Sequence, residues 1–120
     1  METILIVEDE QNLLKLLEIT FKSNGYKVIK AINGAEAYLL ALKELPNLIL
    51  MDILLPGESG LEVLKRLKEE EKTKDIPVVM LTNFSEPQTI DQAKRLGARD
   101  YLIKSSNDPS TVLEKVQKYL

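Results

Sequence analysis

Four groups along the chain are placed where they could do phosphoryl or metal chemistry: the acidic run Glu8-Asp9-Glu10, then Asp52, Thr82 and Lys104. Each follows directly on a short apolar run that reads as a β-strand. Carboxylates gathered at one spot repel one another unless something positive joins them. Mg²⁺ suits such a set, being a hard ion that takes oxygen ligands and keeps part of its water. Thr82 brings a hydroxyl and Lys104 a cation, both able to contact a phosphoryl oxygen. Each residue also has an ordinary explanation. Glu8 or Asp9 could simply cap a helix, Lys104 could snorkel into solvent, and Thr82 could be a plain strand-end hydroxyl. Asp52 fits the cap explanation less well, because the next obvious cap, Ser59, lies seven residues on.

The elements that must position these groups alternate between strand and helix. Thr3–Val7 is an unbroken apolar run, followed by Leu13, Leu16, Leu17 and Phe21 at helical spacing and a stop at Asn24-Gly25. Tyr26–Ile32 is rich in β-branched residues. Asn33, with Glu36 three residues on, opens a helix whose stripe is Ala37, Leu40, Ala41 and Leu45 before Pro46. Leu48–Met51 is the third strand, and Ile53–Ser59, with Pro56-Gly57, is a loop. Ser59 and Glu62 have capping-box spacing before Leu61, Leu64 and Leu67. Ile76–Leu81 is the fourth strand. Ser85 and Gln88 have the same spacing before a helix that Gly97 ends. Tyr101–Ile103 is a fifth strand. Asp108-Pro109 starts a last helix with Val112, Leu113, Val116 and Tyr119 inward.

Strands that are apolar throughout are buried on both faces, which predicts a parallel sheet with helices on each side. Five such units in 120 residues predict an open three-layer αβα sandwich, one domain over residues 1–120. A closed eight-unit barrel needs about 250 residues. In an open parallel sheet, ligands sit beyond the carboxyl ends of the strands, where the acidic run, Asp52, Thr82 and Lys104 all fall.

Absences narrow the chemistry. The chain has no Cys and no His, which removes disulfides, thiol nucleophiles, imidazole bases and HExxH metal sites. With 16 Lys and Arg against 19 Asp and Glu, the formal charge is −3. That balance gives no general attraction to nucleic acid or anionic lipid. No apolar run approaches a membrane span, and Met1-Glu2-Thr3 leads straight into a strand without a signal-peptide pattern. A soluble, cytoplasmic protein is the expectation.

Four segments, ILIVEDE, LILMDILLPGESG, VVMLTNF and GARDYLIK, stand in order with 30 residues from Asp52 to Thr82 and 22 from Thr82 to Lys104. In these features the chain resembles the receiver domain of a two-component response regulator, of the stand-alone, chemotaxis-regulator-like kind, and the resemblance covers essentially its whole length. The resemblance implies a flavodoxin-like sheet of order 2-1-3-4-5. Asp52 would be the phosphoacceptor, taking a phosphoryl group from the phosphohistidine of a histidine kinase or histidine phosphotransfer protein. Glu8, Asp9, Asp52 and the backbone carbonyl of Leu54 would hold Mg²⁺. Lys104 and Thr82 would contact phosphoryl oxygens. Tyr101 would be the aromatic that changes position on activation. The output surface would be the fourth helix, fifth strand and fifth helix. The fourth helix, with its thin stripe of Ile90, Ala93 and Leu96, should be the most mobile.

The chain departs from the family pattern at two places. Ser105 follows Lys104 where Pro is common, often after a cis bond. The bond before Ser105 is therefore expected to be trans, or held cis by its surroundings. Asn83 stands where a small residue is more usual and is expected to narrow access to Asp52. Leu54 and Phe84 flank the expected path of attacking water; two apolar groups there predict a long-lived aspartyl phosphate.

Rival chemistries fit less well. A flavin phosphate would be repelled by Glu8-Asp9-Glu10, a DxD phosphatase would need Asp where Leu54 stands, and the five glycines form no nucleotide-binding motif. The remaining alternative is a degenerate receiver acting as a phosphorylation-independent protein-interaction module. The expected partners are a phosphodonor protein and a downstream target or a missing output domain, without nucleic acid or membrane. Phosphorylation-dependent pairing of two copies through the last two helices is compatible with the resemblance.

Overall fold

The computed structural model describes residues 1–120. Strand and helix alternate along it: β1 (Thr3–Val7), α1 (Gln11–Ser23), β2 (Lys27–Ala31), α2 (Gly34–Glu44), β3 (Leu48–Met51), α3 (Gly60–Glu69), β4 (Val78–Thr82), α4 (Pro87–Arg95), β5 (Asp100–Ile103) and α5 (Pro109–Val116). Short 3-10 turns cover Lys104–Ser106 and Gln117–Tyr119. All strand pairs are parallel and the order is β2-β1-β3-β4-β5, the expected αβα sandwich.

The sheet is apolar on both faces because each face has its own core. Leu5, Val7, Ile49, Met51, Val78 and Met80 pack with Ala37 and Ala41 of α2, Val63, Leu64 and Leu67 of α3, and Ala93 of α4. The alternate residues Ile4, Ile6, Leu48, Leu50, Val79 and Leu81 pack with Leu14, Leu17 and Phe21 of α1 and Val112, Leu113 and Val116 of α5. The two-residue period of a strand thus survives inside an unbroken apolar run.

Register fixes the rim. Val7 lies opposite Met51 and Thr82 opposite Ile103. The residues that follow, Glu8 beside Asp52 and Lys104 beyond Thr82, therefore leave the sheet at the same end. The Asp52 N–H donates to the Val7 carbonyl at 3.1 Å and the Glu8 N–H to that of Ala31 at 3.0 Å, so both remain held by the ladder.

Several local expectations are corrected. Leu16 is 52% exposed, and α1 buries Leu14, Leu17 and Phe21 instead. The buried residues follow an i, i+3, i+7 stripe, with Leu13 partly buried beside them. Leu45 lies outside its helix, in a left-handed conformation with φ 46°, and is half exposed. Ser85 does not cap α4. Glu86 holds the cap position without a side-chain bond, its carbonyl accepting from Thr89 and Ile90 N–H. Proline at the first helical position fixes the start one residue later. Strand β4 runs two residues later than expected at its start and includes Thr82, while β2 loses Tyr26 and Ile32 at its ends. Tyr119 sits in the 3-10 turn after α5. Every peptide bond is trans, including Lys104–Ser105.

Candidate functional site

The three acidic residues expected to gather do so. One carboxylate oxygen each from Glu8, Asp9 and Asp52 lies within 4.8 Å of the others, with Glu8 and Asp52 buried and Asp9 exposed. This donor set, all oxygen and all anionic, fits a hard divalent cation open to solvent on one side. Because β1 and β3 are hydrogen-bonded neighbours, two residues 44 apart in sequence meet without any loop reaching across.

Lys104 enters from the other end of the site. Its Nζ donates to Asp52 Oδ2 at 2.6 Å and pairs with Glu8 Oε1 at 2.7 Å. Its side chain is only 14% exposed, so it does not snorkel away. Asp52 Oδ1 accepts from the N–H of Ile53 at 2.7 Å and, more loosely, of Leu54 at 3.3 Å. Glu8 Oε2 accepts from the Glu10 N–H at 3.0 Å.

These contacts set the charge balance. Burial pushes the Glu8 carboxyl above the ordinary glutamate range, despite the opposing hydrogen bonds from Lys104 and the Glu10 N–H. For Lys104, burial acts to lower the ammonium, but hydrogen bonds to Asp52 and Glu8 outweigh it and the pKa rises. Both shifts describe one situation: more negative than positive charge packed where water is scarce.

Asp52 and Lys104 also line a cavity of about 290 Å³ with Leu54, Thr82, Asn83 and Phe84. Thr82 is buried and its Oγ1 accepts weakly from the Phe84 N–H at 3.4 Å. Leu54 is 68% and Phe84 37% exposed, so two apolar side chains stand at the mouth. Asn83 does not project freely into that mouth; its Oδ1 accepts from the Ser105 N–H at 3.0 Å. Tyr101, on β5, donates its hydroxyl to the Phe84 carbonyl at 2.6 Å. Burial, then the charges of Glu86 and Asp52, raises its phenol pKa. All the residues singled out in sequence therefore meet at one end of the sheet, apart from Tyr101, which reaches the site through Phe84.

One residue that sequence reading passed over supports Asp52 from behind. Gly60, at the start of α3, donates its N–H to the Ile53 carbonyl at 2.8 Å. A Cβ there would fall 2.0 Å from the Asp52 carbonyl oxygen. Only glycine lets the helix start so close beneath the phosphoacceptor candidate. The available signal was its place directly after the cap Ser59, whose Oγ accepts from the Glu62 N–H at 3.3 Å.

Residues 4–117 match the sequence model of a family described as response regulator receiver domain. Among curated proteins, the chain is 37% identical over 119 residues to sporulation initiation phosphotransferase F of Bacillus subtilis, covering 99% of the chain and 94% of that protein. It is 40% identical over 103 residues to the phosphate regulon transcriptional regulatory protein PhoB of Pseudomonas aeruginosa. That match takes in 86% of the chain but only 45% of PhoB, so the chain spans less than half of that relative's length. Among solved structures, the chemotaxis response regulator CheY4 of Vibrio cholerae superposes with a TM-score of 0.92 at 30% identity, covering 100% of the chain and 99% of that structure.

Proposed function

The chain belongs to the response regulator receiver domain family, whose members work in phosphorylation-based two-component signalling, and from that premise we propose that it is a phosphoacceptor switch with Asp52 as the acceptor. The observation that carries this reading is the Lys104 ammonium, held at 2.6 Å on Asp52 and 2.7 Å on Glu8 beside the Glu8–Asp9–Asp52 cluster. In the transfer, a carboxylate oxygen of Asp52 attacks phosphorus, forming an acyl phosphate as the bond to the donor's imidazole nitrogen breaks. The imidazole leaves with the electron pair and is protonated. Glu8, Asp9, Asp52 and the Leu54 carbonyl would hold Mg²⁺, which supplies positive charge to the phosphoryl oxygens. Lys104 shares that charge work, and because transfer needs little beyond position and charge, this set is sufficient.

The product adds roughly two negative charges and three acceptor oxygens at one strand end. Thr82, which lines the same cavity as Asp52, would turn its hydroxyl toward them. Phe84, two residues on, carries the carbonyl that Tyr101 holds, so movement at Thr82 is passed to β5. Helix α4 buries only Ala93; with so little apolar burial its opening costs little. The surface of α4, β5 and α5 is accordingly the proposed output face. The signalling switch is read as one receiver unit over residues 1–120. It would act in the cytoplasm, receiving from a histidine kinase or phosphotransfer protein and acting on a protein target or an attached output domain. No helix is long and apolar enough to cross a membrane.

Leu54 and Phe84 at the cavity mouth are poorly suited to orient an attacking water, and the phosphorylated state should be long-lived. The test is intact mass after incubation with acetyl phosphate, with Mg²⁺ or EDTA, beside Asp52→Asn. A single Mg²⁺-dependent phosphoryl adduct absent from the Asn variant is expected, persisting for many minutes. A half-life of seconds would sink the lifetime argument alone. Failure with acetyl phosphate and with histidine-kinase donors would favour the phosphorylation-independent interaction module.

A further inference from the structure

Lys104 must be aimed across the site by a turn that has almost no packing of its own. None of the four residues Lys104–Asn107 is buried, and Ser105 and Ser106 are exposed. Polar bonds hold the turn instead. Asn107 Nδ2 donates to the Ile103 carbonyl at 2.8 Å, and Lys115 Nζ donates to Asn107 Oδ1 at 2.6 Å. Besides the Lys104 side chain's own bonds to Asp52 and Glu8, the turn is tied to the rest of the fold through its backbone by Asn83, whose Oδ1 receives the Ser105 N–H at 3.0 Å across 22 residues of sequence.

We infer that Asn83 is a positioning residue: by accepting from the Ser105 N–H it fixes the Lys104–Ser105 peptide and so aims the Lys104 ammonium at Asp52 for phosphoryl transfer. This rests on the reading of Asp52 as phosphoacceptor. Asn83 lines the cavity beside Asp52, and its tie to Ser105 makes it a brace in the wall of that cavity as well. The lysine side chain is long and flexible. A loose turn spreads its ammonium over many positions, and the fraction correctly placed sets the rate. Asn83 is also followed by Phe84, whose carbonyl binds Tyr101. Two successive residues of the β4–α4 segment therefore clasp positions 101 and 105.

The experiment uses the full chain, saturating Mg²⁺ and a range of acetyl phosphate concentrations, so that limiting rate and half-saturating donor are separated. Asn83→Ala removes the acceptor, and Ser105→Ala removes only the hydroxyl while keeping the N–H. The limiting rate should fall about fivefold in Asn83→Ala, the scale of one hydrogen bond, and Ser105→Ala should match the wild type. Half-saturating donor and Mg²⁺ affinity should stay constant. Amide hydrogen exchange at Ser105 should speed up in Asn83→Ala. An unchanged or faster limiting rate in Asn83→Ala, or unchanged Ser105 exchange in that variant, would each overturn the assignment. A wild type that takes no phosphoryl group from acetyl phosphate or from a histidine-kinase donor refutes the phosphoacceptor reading instead, and the two failures are thus distinct.

Discussion

Replacing Gly60 by Ala is the sharpest test of how the fold supports Asp52. The added methyl would sit 2.0 Å from the Asp52 carbonyl oxygen and 2.9 Å from both its carbonyl carbon and Ile53 Cα. Carbon and oxygen cannot remain much closer than about 3 Å, so the backbone must move by about 1 Å. No rotamer change can relieve this, because every obstructing atom is main chain. Overpacking of this kind costs up to about 3 kcal/mol, offset by up to about 1 kcal/mol of helix propensity gained over glycine. A net loss of about 2 kcal/mol should lower Tm by roughly 8 °C for a domain of this size. If α3 lifts, the Gly60–Ile53 hydrogen bond goes with it; if the Asp52 carbonyl turns, its carboxylate turns too. Either movement should slow phosphorylation by up to ~10²-fold, the scale of a 1 Å misplacement. Urea unfolding at constant m and the acetyl phosphate adduct rate, taken at a temperature where the variant is folded, measure both effects. Gly34→Ala is the control. Its methyl would meet Val63 Cγ2 at 2.8 Å and the Glu58 carbonyl at 2.9 Å, so it too must displace a neighbour and lose stability, but away from Asp52, and its adduct rate should stay at the wild-type value. A Gly60→Ala protein within about 0.5 kcal/mol of wild type, and phosphorylated at the wild-type rate, would refute the reasoning.

Three further outcomes are expected. Lys104→Met leaves Glu8 and Asp52 facing each other without their shared cation. It should cost about 2–3 kcal/mol in EDTA, below the full cost of breaking a buried pair because the site opens to solvent. Added Mg²⁺ should raise the variant's Tm more than the wild type's, and equal shifts would argue that the lysine does not offset the same charge. Asn33→Ala removes the acceptor that holds the Glu36 N–H at 2.8 Å and should cost about 1 kcal/mol by urea unfolding, with adduct formation unchanged. Asp108 is held below the usual aspartate range by the backbone N–H of Thr111, with help from its side chain. Its contribution is therefore present above its unfolded pKa and lost as pH falls through the lower folded value. Asp108→Asn keeps a capping oxygen without the titrating charge, so its unfolding midpoint should fall less steeply than the wild type's between pH 4 and 2.

Much of the fold was legible because burial leaves a local trace. Apolar runs of four or five residues, stripes at helical spacing, and caps such as Asn33, Ser59 and Asp108 each lie within a few residues of the structure they determine. Failures came where neighbours outvoted the local pattern. Leu16 and Leu45 are as apolar as Leu14, yet the fold leaves each about half exposed. Ser85 has capping chemistry but the wrong register against Pro87.

The chain alone determined which groups were available: no imidazole or thiol, and Glu8, Asp9, Asp52, Thr82 and Lys104 at four of the five strand ends. Knowing that they converge needed the resemblance or the structure, since periodicity says nothing about strand order. Only the tertiary structure decided that Lys104 joins Glu8 to Asp52 and that Gly60 lies against the Asp52 carbonyl. It also decided that the Ser105 N–H finds Asn83 across the site. The physical reason is range. Secondary structure follows from hydrogen bonds and burial within a few residues. These three contacts join segments that β1–β3 pairing, the start of α3 and the β4–β5 register bring together, and they exist only once the whole sheet has formed.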